Sequence, residues 1–161
     1  MKKELVVYFS VYGTAKLVAE EIARQTGADL TEIQPVAPYD SDRNHYHTLA
    51  RQTQRELEEN CRPAIRNEIA VHGYDRIYIG YPMWWYTFPM ILYTFFEQYD
   101  FSGKTIIPFN THMGARDGDT YDTIRALEPN AVVLTGLPVE MRDAEKGAAA
   151  TVRQWLSCLP V

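Results

Sequence analysis

The sequence predicts an α/β fold, a doubly wound sheet with helices packed on both faces. Apolar, β-forming runs alternate with helical stretches in the order β-α-β-α-β-α-β-α-β-α, which argues for that architecture. Several of the runs are continuously apolar, the mark of strands buried on both faces in a parallel sheet. A chain of 161 residues, 46% hydrophobic and 23% charged, fits a single domain over residues 1–161 with a substantial core.

The elements follow in order. Leu5-Val6-Val7-Tyr8-Phe9 is the first strand, ended by the turn-compatible Ser10-Val11-Tyr12-Gly13-Thr14. Ala15, Val18, Ala19 and Ile22 recur at i, i+3, i+4 and i+7, giving the first helix an apolar stripe, and Gly27 stops it. Ala28 to Ile33 alternates as a second strand, and Pro35 and Pro38 punctuate a loop reaching Asp42. Asn44 to Asn60 is polar and rich in helix formers, a largely exposed helix anchored by Leu49 and Leu57. Arg62-Pro63 starts a connector. Arg76 to Gly80 is a third strand, followed by the loop Tyr81 to Tyr86. Pro89 suits the first position of a helix, and Met90 to Tyr99 is strongly apolar. Lys104 to Phe109 is a fourth strand, Asn110 to Asp119 a polar loop, Tyr121 to Leu127 a short helix and Ala131 to Leu134 a fifth strand. Asp143 caps a final helix running to Leu159.

Composition excludes several functions. Lys and Arg number 16 against 21 Asp and Glu, a net charge of −5, and general nucleic-acid binding needs a cationic surplus. Two cysteines, Cys61 and Cys158, make neither a disulfide framework nor a zinc site, and the expected compartment is the cytoplasm. The Met1-Lys2-Lys3 start is followed by Glu4 and too short an apolar run for a signal peptide, and no run is long enough to span a membrane. His45 and His47 lack the spacing of a helical metal pair and read as surface histidines, so no metal site is expected. No G-x-S-x-G elbow occurs and neither cysteine has an adjacent His pattern, so no catalytic side chain is assigned.

Ligands of an open parallel sheet bind beyond the carboxyl ends of its strands, and three loops leave those ends. Ser10 to Thr14 passes from strand to helix, so free N–H groups and a positive helix end point outward together. Gly13 permits close approach of an anion, while the plainer reading is an ordinary turn with a Ser or Thr cap. Neither a Walker motif nor G-x-G-x-x-G is present. Trp84 and Trp85 stand side by side, with Tyr81 and Tyr86 close by. Neighbouring side chains in such a segment diverge, so either one indole joins the core while the other covers a surface or a subunit contact, or one ring stacks on a flat aromatic ligand. Asn110 to Asp119, with Gly114 and Gly118, is long enough to wrap a ligand, but taken alone it reads first as a flexible surface loop.

These residues resemble the flavodoxins, in particular bacterial flavodoxin-like proteins with a double-Trp loop, over nearly the whole chain. Tyr8-Phe9-Ser10-Val11-Tyr12-Gly13-Thr14-Ala15-Lys16 stands where that family has its Ser-x-Thr-Gly-Asn-Thr phosphate loop. Gly80-Tyr81-Pro82-Met83-Trp84-Trp85 resembles its Gly-Tyr-Pro-Ile-Trp-Trp loop. Phe101-Ser102-Gly103-Lys104-Thr105 and Thr111-His112 resemble its Phe-Ser-Gly-Lys-Thr strand and Thr-His loop.

The resemblance implies a three-layer sandwich on a five-stranded parallel sheet in the order 2-1-3-4-5, binding flavin mononucleotide (FMN) noncovalently. It assigns Ser10, Tyr12, Gly13, Thr14 and Ala15 to the phosphate, Ala15 through its N–H alone. Pro82, Met83, Trp84 and Trp85 would contact the flavin ring, and Thr111, His112, Met113 and Gly114 would line ring and ribityl chain. Tyr12, Thr14 and Ala15 depart from the family's Thr, Asn and Thr, losing two hydroxyl donors and gaining one, and Tyr86 stands where relatives often have Gly. The charge of −5 is milder than in flavodoxins that steer to basic partners. The implied activity is electron transfer between a reductase and an acceptor, protein or small molecule. An FMN-dependent NAD(P)H:quinone-type oxidoreductase is the alternative, with His112 or Tyr12 facing substrate. A flavin-free interaction module on the same fold is the third reading. A monomer or a weak homodimer is expected, with no nucleic-acid or membrane partner.

Overall fold

The computed structural model describes residues 2–161; Met1, the start of the Met1-Lys2-Lys3 segment, lies outside the described residues. Among the described residues six strand segments and six α-helices follow one another, alternating as far as α4: β1 (Glu4–Tyr8), α1 (Thr14–Thr26), β2 (Asp29–Glu32), α2 (Tyr46–Glu58), β3 (Arg76–Pro82), α3 (Met90–Gln98), β4 (Thr105–His112), α4 (Thr120–Leu127), β5 (Val132–Val133), β6 (Leu137–Glu140), α5 (Met141–Glu145) and α6 (Ala149–Cys158). The sheet order is β2-β1-β3-β4-β5, every pair is parallel, and β6 also pairs with β4.

Side chains of a strand alternate between the two faces, and the core divides accordingly. Leu5, Val7, Ile77, Ile79 and Ile106 pack under Ile91, Leu92 and Phe95 of α3 and Ile124 of α4. Val6, Tyr8, Tyr78, Ile107 and Phe109 pack under Val18, Ala19 and Ile22 of α1, with Val152 and Trp155 of α6. The stripe read in α1 is the face it buries. On this second face Gly80 sits directly opposite Phe109, and a Cβ on Gly80 would overlap the buried Phe109 ring.

The fifth strand differs from the expectation of one run over 131–134. It is two segments on one edge, β5 against the start of β4 and β6 against its end. Val132 and Leu134 donate to the carbonyls of Lys104 and Ile106, so even-numbered residues of β4 face that edge. Pro108, next in the series, has no N–H to give, and the edge strand is interrupted beside it. The final helix is likewise two pieces. Gly147 (φ 92°) and Ala148 (φ 49°) take left-handed conformations that no α-helix continues through, and Asp143 lies inside α5 rather than capping a helix. Pro89 has extended backbone (ψ 145°) and precedes the first residue of α3 instead of occupying it.

Candidate functional site

Because the strands are parallel, the segments after β1, β3 and β4 emerge at one end of the sheet. After β1, Gly13 adopts φ 90°, a left-handed conformation that a residue with a side chain enters only with strain. Its N–H donates to Ser10 Oγ at 3.0 Å, leaving the Ser10 hydroxyl proton free to donate. Gly13 O accepts the first helical bond, from Leu17 N at 3.1 Å. The N–H groups of Val11, Tyr12, Thr14, Ala15 and Lys16 find no acceptor among the described residues. Helix starts always orphan a few donors; here a left-handed glycine gathers more of them, at the positive end of a 13-residue helix. The Tyr12 hydroxyl is buried and also unpartnered. Burial, with Tyr46 and the carboxylates of Asp40 and Asp42 nearby, pushes its pKa up, so it remains a donor.

After β3, Trp84 and Thr87 exchange backbone hydrogen bonds of 2.8 and 3.1 Å, closing a two-residue turn. The turn residues Trp85 (φ 55°) and Tyr86 (φ 61°) are both left-handed, a geometry usually met by Asn-Gly. The two indoles diverge. Trp84 is half-buried, edge-on to Phe9 (5.6 Å) and Tyr39 (5.5 Å). Trp85 leans to α2, its Nε1 donating to Thr53 Oγ1 at 3.0 Å, while Tyr86 is 78% exposed. Met83 N donates to Thr111 O at 2.9 Å, tying the Trp loop to β4.

β4 runs three residues further than the sequence predicts. Asn110, Thr111 and His112 belong to the strand, not the loop, and all three are buried. Asn110 Nδ2 donates to Arg116 O at 2.7 Å and its Oδ1 accepts from the Tyr121 hydroxyl, so a buried amide pins the loop from beneath. His112 Nδ1 accepts from Gly114 N at 2.9 Å, which places the proton of the neutral ring on Nε2. Burial holds the His112 pKa below its ordinary value, with Arg116 lowering it further while Glu140 and Asp117 oppose. Met113 is 86% exposed and Gly114 has φ 119°. At Gly118 a Cβ would sit 2.5 Å from Tyr86 O, so this loop presses on the Trp loop.

The predicted residues therefore gather at one end of the sheet, but in three conditions. Ser10 to Ala15 present donors, Trp84 and Thr111 are largely structural, and Trp85, Met113 and Gly114 are exposed. The sequence places Asn110, Thr111 and His112 in a loop, and no motif in it marks Tyr39, Arg43 or Thr53, which come from the β2–α2 connection and α2 itself. His112 with Arg116, Glu140 and Arg142 also borders an open cavity of about 290 Å³, where Arg142 already pairs with Glu140 at 2.7 Å.

Among the described residues no helix is long and apolar enough to cross a membrane. A search of the curated proteins finds no match. Among solved structures, one assigned as a flavoprotein from Bacteroides eggerthii is 30% identical, with TM-score 0.84 over 100% of this chain and 99% of its own. Another, from Bacteroides uniformis, is 32% identical, with TM-score 0.84 over 97% and 98%. A flavoprotein from Lactobacillus acidophilus, solved in complex with FMN, is 21% identical with TM-score 0.71 over 92% and 99%, and shares the fold. The flavodoxin family matches residues 3–157, nearly the whole length of the sheet and helices described above, and the chain belongs to that family.

Proposed function

We propose that this chain binds FMN noncovalently and passes electrons between a reductase and an acceptor. The observation that carries the reading is the cradle at the start of α1: unpartnered N–H groups beside a left-handed glycine and a buried, partnerless tyrosine hydroxyl. Such donors suit a phosphate dianion, and hydrogen bonds to a charged group contribute about 1.5–3 kcal/mol each. The FMN-bound relative supports the identity of the cofactor.

In this reading Ser10, Tyr12, Gly13, Thr14 and Ala15 hold the phosphate, Ala15 by its backbone. Pro82, Met83, Trp84 and Trp85 shape one wall of the ring site, and Thr111, His112, Met113 and Gly114 the other. FMN supplies reversible electron transfer when bound; the chain supplies position and electrostatics. Trp84 is immobilised against Phe9 and Tyr39, which makes that wall rigid. Neutral His112 offers its Nε2–H as a donor, since Nδ1 is occupied by Gly114 N. The net charge of −5 is mild, so long-range steering toward basic redox partners is weaker here than in strongly acidic flavodoxins.

An absorption spectrum of the purified protein tests the reading, with the released cofactor identified after heating. Flavin bands, or flavin bands acquired on adding FMN, support it; a colourless protein that takes up no FMN refutes it. A second reading, reduction of small flat acceptors such as quinones by NAD(P)H, draws on the exposed rim of Trp85, Tyr86 and Met113. Steady-state NADPH oxidation with a quinone separates the two.

A further inference from the structure

The connection between β2 and α2 reaches both halves of the site. Tyr39 rests edge-on against Phe9 (5.7 Å) and Trp84 (5.5 Å), and its hydroxyl donates to Glu56 Oε1 at 2.7 Å. Beyond Tyr39 the segment is held by its own polar contacts. Asp42 N donates to Asp40 Oδ1 and Asn44 N to Asp42 Oδ1, each at 2.9 Å, and His45 Nδ1 lies 2.7 Å from Asp40 Oδ2. These contacts hold a short 3-10 turn, Arg43–His45, over the phosphate loop. Arg43 Cζ lies 5.1 Å from the centroid of the Tyr12 ring.

A guanidinium seated on an aromatic face keeps its in-plane donors free, and that fork matches a phosphate. No Arg43 N–H meets a hydrogen-bond acceptor among the described residues. Its ionic contact, Glu145 Oε1, stands 3.8 Å from Nη1, and both side chains are more than half exposed, at 57% and 51%. The ring beneath it carries the unpartnered Tyr12 hydroxyl. Asp40 and Asp42 lie close enough to act on that hydroxyl, and Arg43 acts against them.

We propose that Arg43, seated on Tyr12, is a specificity-determining residue that closes on the terminal phosphate and makes the site select a phosphorylated flavin over riboflavin. The proposal rests on the FMN reading above. It gives the phosphate site a cation from a distant segment, in addition to the neutral donors of the loop.

The test is titration of the full-length apoprotein with FMN and with riboflavin, followed by flavin fluorescence, at low and high salt. The variants are Arg43→Gln and Arg43→Lys, with thermal unfolding of each apoprotein as a check on folding. Losing one charge-assisted contact weakens FMN binding about tenfold or more. The expected result is that loss for Arg43→Gln, an unchanged riboflavin affinity, a flatter salt dependence for FMN, and partial recovery in Arg43→Lys. Wild-type binding of FMN with Arg43→Gln unaffected, or with FMN and riboflavin weakened equally, overturns the clamp alone. Wild-type protein that binds neither flavin overturns the FMN reading itself, and the clamp with it.

Discussion

Tyr12→Phe separates what the phosphate loop does with and without a ligand, because the two effects have opposite signs. The Tyr12 hydroxyl is buried and has no partner among the described residues. A fully buried polar group left unpaired costs about 1–3 kcal/mol; Tyr12 as a whole is only half-buried, so deleting its hydroxyl stabilises the apoprotein by about 1 kcal/mol or less. For a chain of 161 residues, each kcal/mol raises Tm by about 2–4 °C. If the same hydroxyl donates to phosphate, the variant loses a hydrogen bond to a charged group, about 1.5–3 kcal/mol, and FMN affinity falls by roughly tenfold to a hundredfold. The ring stays, so the seat of Arg43 is preserved. Thermal unfolding of the apoprotein by circular dichroism and an FMN titration make the two measurements. An apoprotein that melts lower than wild type refutes the burial reasoning. An unchanged FMN affinity removes Tyr12 from the phosphate site.

Further outcomes follow from packing, backbone and charge. Gly80→Ala drives a Cβ into the buried Phe109 ring, an overpacking that costs about 1–3 kcal/mol, and adding Phe109→Leu recovers part of the loss in urea unfolding. Tyr86 sits at φ 61°, where a non-glycine residue is strained by about 1–2 kcal/mol; Tyr86→Gly keeps a net gain below that after chain entropy, read as a higher Tm. Burial, with Asp100 nearby, raises the Glu128 pKa to about 7, so its contribution is fully present at acid pH and lost as pH rises through 7. Glu128→Gln therefore stabilises the protein at pH 8 relative to pH 5, compared by urea midpoints. His112 is shifted the other way: held low by burial, it favours folding above its ordinary value of 6.5 and weakens it as pH falls, so His112→Gln flattens the acid side of the same profile.

Local periodicity was enough for much of the fold. The apolar runs of β1, β3 and β4 and the Ala15-Val18-Ala19-Ile22 stripe are dictated by which side chains must leave water, and neighbours in sequence suffice to reveal them. The strand order came from resemblance, since periodicity does not say which strand lies beside which. The split edge strand shows the difference: Pro108 is plain in the sequence, but its effect appears only where its missing N–H faces β5 and β6. The two-piece final helix has a similar origin, because Ala148 is an ordinary helix former whose left-handed backbone is imposed by its surroundings.

The site divides along the same line. Gly13 between a strand and a helix, the paired tryptophans and the glycines after β4 marked three strand ends, because turns that must approach a ligand need such residues whatever surrounds them. What each side chain does was decided by contacts distant in sequence: Trp84 locked on Phe9 and Tyr39, Asn110 drawn into the strand to hold the loop, Arg43 laid on Tyr12. A partnerless hydroxyl is defined by everything placed around it. Local sequence was enough for the strands β1, β3 and β4, the helix α1 and the three loops that leave the strand ends. Which donors are left without a partner depended on the folded neighbourhood, since burial and pairing are set by contacts distant in sequence and not by the local chain.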